Sequence, residues 1–113
     1  MNWNELKEEV EVEKIKELSH TQPILIFKHS TRCSISSAAL GRLERNWKDA
    51  EAGTLLPYYL DLISYRPISK LIQDTFHVEH ESPQVLIIQN GKSIYNASHT
   101  DIVYKDIIES IKQ

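Results

Sequence analysis

From Ile35 to Trp47 an apolar residue returns every fourth position (Ile35, Ala39, Leu43, Trp47), with Ala38 beside the stripe. That spacing predicts a helix with one buried face, beginning at or just after Cys33. Ahead of it runs PILIF, Pro23 to Phe27, a short unbroken apolar stretch of the kind a buried strand shows. Further upstream Trp3, Leu6, Val10, Ile15 and Leu18 are spread among charges, which predicts one amphipathic helix over 3–19 with an irregular lead-in. Ala52-Gly53 breaks the central helix, and LLPYYLDLI, Leu55 to Ile63, reads as a second strand whose beginning Pro57 holds outside the ladder. A helix then follows Ser64 or Tyr65, with Pro67 in its first turn and Ile68, Leu71, Ile72 and Phe76 on one face. QVLIIQ (Gln84 to Gln89), the turn pair Asn90-Gly91 and KSIYNA (Lys92 to Ala97) form a hairpin signal. From Asp101 to Lys112 a last helix carries Val103, Ile107, Ile108 and Ile111 on one side.

The order is thus helix, βαβ, helix, hairpin, helix. A parallel βαβ unit joined to an antiparallel hairpin predicts an α/β domain over 1–113, with a mixed sheet of four strands and helices on both faces. The 113 residues are enough for one core without disulfides or a structural metal. A net charge of -3 argues against a nucleic-acid surface, which needs clustered Lys and Arg. The N-terminal stretch is too charged for a signal peptide and the apolar runs are too short to span a bilayer, so a cytoplasmic protein with no membrane partner is expected.

Cys33 is the only cysteine, so any disulfide it makes must join it to another molecule. A cysteine-rich zinc site is ruled out, and the five histidines show no pair at dependable ligand spacing; His77 and His80 straddle the expected end of a helix. No metal and no permanently bound cofactor are expected. His29 reads as a structural or solvated residue, and Asp61 as a capping or surface acid.

The strand ILIF, the polar lead-in KHSTR, Cys33 at a helix start, Pro83 directly before QVLIIQ and the NG hairpin together resemble thioredoxin-like proteins over nearly the whole chain. The resemblance implies a nucleophilic Cys33 faced by a proline loop at Ser82-Pro83. More narrowly, KHSTRCSIS, YLDLISYRPIS and HESPQVLIIQNG resemble the monothiol bacilliredoxins. That family's signature is Cys-Pro-Ile-Ser; Cys33, Ile35 and Ser36 fit it, and Ser34 stands in place of the proline. The resemblance implies removal of bacillithiol from S-bacillithiolated proteins, with bacillithiol as the thiol co-substrate.

The residues fit such chemistry. The thiolate is the attacking species, and a helix N-terminus favours the anion. Ser36, three residues on, is expected to point back and donate to the thiolate, and Arg32 to add positive potential. Arg32 or Lys28 would attract the malate carboxylates of bacillithiol, and the loop at Ser82 and Pro83 would orient an extended substrate segment. Ser36 occupies the place where a dithiol enzyme has its resolving cysteine, so a Cys33-bacillithiol adduct would wait for an outside thiol. Three alternatives stand beside this. A monothiol glutaredoxin would carry Gly-Phe where Ser34-Ile35 stands. A peroxidase would need a proline where Ile26 stands. A non-catalytic binding module would not need Cys33 at all.

Overall fold

The computed structural model describes residues 1–112. Its sheet has five strands, β1 (Asn4–Glu5), β2 (Ile24–His29), β3 (Leu56–Asp61), β4 (Gln84–Gln89) and β5 (Lys92–Ser98), in the order β1-β3-β2-β4-β5. The first three are parallel, while β4 runs antiparallel to β2 and β5. The helices are α1 (Val10–Leu18), α2 (Ser34–Asn46), α3 (Asp49–Ala52), α4 (Arg66–Phe76) and α5 (Tyr104–Ile111).

The fifth strand corrects the reading of the first twenty residues. Asn4 and Glu5 pair with Tyr58 and Tyr59 on the edge of the sheet, so Trp3 and Leu6 flank a strand and do not lie on a helix. The helix starts later, and its buried stripe is Val12 and Ile15, leaving Val10 and Leu18 exposed. Leu6 is buried from the chain just beyond the strand. In α2 the buried positions are Ser36, Ala39 and Leu43, whereas Ile35 stands in solvent.

Pro57 sits inside β3, opposite Leu25 of β2. The Leu56 N–H points to Pro23 on the β2 side, so by alternation the missing N–H of Pro57 falls on the β1 side. The β1 ladder begins only at Tyr58, and nothing there needs that donor. The hairpin turn is as its sequence requires: Asn90 and Gly91 both have positive φ, 54° and 76°.

Strand alternation divides the core. Leu25 and Phe27 of β2 face α2 and α5, together with Val85 and Ile87. Ile24 and Ile26 face α1 and α4, together with Leu86 and Ile88. The strand does not stop at Phe27, as the apolar run predicts, but continues through Lys28 and His29, both of them buried. These last two residues go to opposite faces, and both lie at the C-terminal end of the central strand, from which the chain turns into Cys33.

Candidate active site

Cys33 is the N-cap of α2, with extended backbone angles of -110° and 120°. Its N–H donates to the Ser30 carbonyl at 3.1 Å, closing a tight turn off β2, and its carbonyl accepts the first helical bond from Ser37 at 3.0 Å. The thiol is half-buried and makes no capping bond of its own. Unpaired N–H groups of the first turn and the dipole of a helix 13 residues long lie behind it. Ser34 and Ile35, next along the helix, are exposed beside it, as is Arg32 before it.

Ser36 is fully buried on the first turn of α2. Its Oγ accepts from the Ser30 N–H at 3.0 Å and lies 2.6 Å from Nδ1 of His29. It therefore ties the end of β2 and the turn before Cys33 to the helix, and it is not bonded to the thiol. His29 is 5% exposed and packed against the rings of Tyr59 and Phe27, with centroids at 5.6 and 6.1 Å. Burial pushes its pKa down, with the carboxylates of Asp61 and Glu44 pulling the other way.

Lys28 faces the other side of the sheet. It is fully buried between Leu60 and Gln84 on the neighbouring strands, and burial lowers its pKa to about 8. Its Nζ lies 3.5 Å from Nδ1 of His80, which in turn is 3.2 Å from Ser69 Oγ. An ammonium held in this way has no exposed surface with which to meet a ligand, so of the two cations expected at the site, Lys28 and Arg32, Arg32 is the exposed one.

The peptide between Ser82 and Pro83 is cis. Pro83 is buried and its carbonyl accepts the His99 N–H at 3.0 Å. Among the described residues the buried Ser82 Oγ has no hydrogen-bond partner. Gln84 anchors the segment before it through a 3.0 Å bond from Nε2 to the Glu79 carbonyl. Asp61 accepts from the Ile63 and Ser64 N–H groups, as its capping assignment requires.

The roles of His29 and His80 were not legible in the sequence. The one available signal was the period of two: counting on from Leu25 and Phe27 puts His29 on the α2 face. Nothing local marks His80 as the neighbour of Lys28, because the loop that carries it is placed by tertiary packing.

A thioredoxin fold with one cysteine at the start of the helix after its central strand defines a monothiol protein of the thioredoxin class. Among solved structures, a thioredoxin-fold protein provisionally described as an oxidoreductase is similar over 94% of this chain and 90% of its own, at 26% identity and a TM-score of 0.80. Thioredoxin from Fasciola hepatica, at 15% identity, has a TM-score of 0.71 over 96% of this chain and 95% of that one. Oxidised thioredoxin from Plasmodium falciparum also gives 0.71, at 11% identity, over 99% and 100%. Residues 4–107 match the family described as "Monothiol bacilliredoxin BrxC", and the chain belongs to that family. Thiol-disulfide redox chemistry is the function that follows from this membership and fold.

Proposed function

We propose that the protein removes bacillithiol from S-bacillithiolated proteins by a monothiol mechanism, with Cys33 as the nucleophile. The observation that carries this reading is the place of the only thiol, half-buried at the N-cap of α2, with Ser36 where a resolving cysteine would stand. The Cys33 thiolate attacks the bacillithiol sulfur of the mixed disulfide. The disulfide breaks, the substrate cysteine leaves as a thiolate that takes a proton from water, and a Cys33-bacillithiol disulfide forms. Ser36 cannot displace it, so a second, external thiol attacks the adduct and regenerates Cys33. Bacillithiol is therefore a co-substrate, not a resident cofactor.

Arg32, exposed one residue before the thiol, is the cation offered to the malate carboxylates of bacillithiol. The Ser82-Pro83 loop is assigned to orienting the substrate segment with backbone groups. The test is the intact mass of the protein after incubation with a bacillithiolated substrate, with Cys33→Ser as control. Transfer of one bacillithiol onto Cys33 with release of the substrate is expected. A glutathionylated substrate transferring equally fast would remove the specificity, and unchanged masses with an intact thiol would leave a binding module as the better reading.

A further inference from the structure

Ser36 Oγ has one proton to give and two lone pairs with which to accept. The Ser30 N–H, 3.0 Å away, occupies one lone pair. The 2.6 Å contact with His29 Nδ1 must then use either the proton or the second lone pair, according to whether Nδ1 carries hydrogen. With Nδ1 bare, Ser36 donates to His29 and has nothing left to give. With Nδ1 protonated, Ser36 accepts twice and its own proton is free. Cys33 is the N-cap and Ser36 the third residue of the helix, the spacing at which the later side chain reaches back toward the cap.

From this proton inventory we infer, resting on the reading of Cys33 as the working nucleophile, that His29 is a positioning residue: its Nδ1–H donates to Ser36 Oγ and so turns the Ser36 hydroxyl proton toward the Cys33 thiolate. His29 touches no substrate and exchanges no proton in the cycle. When Cys33 ionises, its proton goes to solvent and the hydroxyl of Ser36 meets the new charge. The surroundings suit a neutral imidazole. The rings of Phe27 and Tyr59 pack against it, burial disfavours its charged form, and the carboxylates of Asp61 on β3 and Glu44 on α2 oppose that only in part. Lys28, next along the strand, faces the other side of the sheet and does not compete for Ser36.

The test uses the full chain and iodoacetamide, whose reaction with Cys33 follows the thiolate fraction as pH is varied. His29→Leu, which leaves the Ser36 hydroxyl free to turn away from Cys33, is expected to raise the midpoint of that profile by up to roughly one pH unit, the size of a fully lost hydrogen bond to a charge. His29→Asn, of nearly the same shape but able to donate from the Nδ1 position, is expected to restore the wild-type midpoint. Ser36→Ala should raise it as well, and adding Ser36→Ala to His29→Leu should move it no further. An unchanged midpoint in His29→Leu, no rescue by Asn, or two full additive shifts would each overturn the assignment. Should the leucine variant fail to fold, nitrogen-15 NMR of the wild-type imidazole decides it. The Nδ1–H tautomer is expected above the thiol midpoint, and the Nε2–H tautomer there refutes the role. Bacillithiol takes no part in these measurements. A failure here with intact bacillithiol transfer therefore removes the role of His29 alone, and failed transfer with the shifts present removes only the bacillithiol reading.

Discussion

The ammonium of Lys28, which has no exposed surface, lies 3.5 Å from Nδ1 of the exposed residue His80. A cation at the end of a core strand thus touches a neutral ring and, among the described residues, no carboxylate. Desolvation is the dominant influence on it, and the pKa falls from 10.5 to about 8.

Replacing Lys28 by methionine should therefore stabilise the protein. The unfolded chain binds the Lys28 proton more readily than the folded one, so this residue makes stability rise with pH between about 8 and 10.5. Its penalty is in full force below pH 8. At about 1.4 kcal/mol per pH unit, Lys28→Met should gain up to roughly 3 kcal/mol near pH 7 and progressively less above pH 8. Urea unfolding of both proteins at pH 7 and pH 10 measures this, and a gain independent of pH would show that the lysine is not the titrating group.

His80 gives the acid counterpart. Burial and the nearby Lys28 both push its pKa down from the usual histidine value, with Glu81 opposing. The unfolded chain again holds the proton more tightly, so stability rises with pH through the window below about 6.5 and is lost on acidification. His80→Asn should flatten the fall in unfolding midpoint between pH 7 and pH 5 relative to wild type. An unaltered slope would place the acid sensitivity elsewhere, His29 being the other imidazole held below its usual value by burial.

How far the sequence was legible depended on whether a period was long enough to show. The stripe of α2, the hairpin at Asn90-Gly91 and the run of β2 each extend over several residues, and so their elements were readable. The edge strand Asn4–Glu5 has two residues and no period, and its existence depends on Tyr58 and Tyr59 being alongside. The apolar run of β2 ends at Phe27 because Lys28 and His29 are polar, yet the sheet continues through both and buries them. At the site, Cys33 at the helix start and Pro83 before β4 followed from local order. The contacts of Ser36 with His29 and of Lys28 with His80 join elements whose approach only tertiary packing sets.

Ser36→Cys should convert the single-thiol site into one that resolves its own adduct. Position 36 is buried one turn after Cys33, and a thiol there is a neighbour at helical spacing. After reaction with a mixed disulfide, the variant is expected to lose bound bacillithiol and to lose two hydrogens in intact mass, the mark of a 33–36 disulfide. The wild-type adduct should persist under the same conditions until an external thiol is added. The cost is the loss of the serine's bonds to Ser30 and His29, so the variant should unfold about 1 kcal/mol more easily for each such bond in a urea titration.

Ser34 is where this chain departs from the Cys-Pro-Ile-Ser signature it otherwise resembles, and its place in the helix says what the departure costs. It is the first residue of α2, exposed, and so at the position where proline's fixed φ suits the helix and its missing N–H is one the helix does not use. A side chain at the N-cap is served by the N–H groups of the second and third residues, here Ile35 and Ser36, and a proline at 34 removes neither. Ser34→Pro is accordingly expected to stabilise the fold by about 0.4–1 kcal/mol through the unfolded chain, while the alkylation midpoint of Cys33 stays where it is. Thermal unfolding and the iodoacetamide profile of the same variant check both halves. A midpoint that moves by as much as in Ser36→Ala would mean that the N–H of Ser34 itself serves the thiolate, and the charge of Cys33 would then be held by the helix end more than by the serine chain behind it.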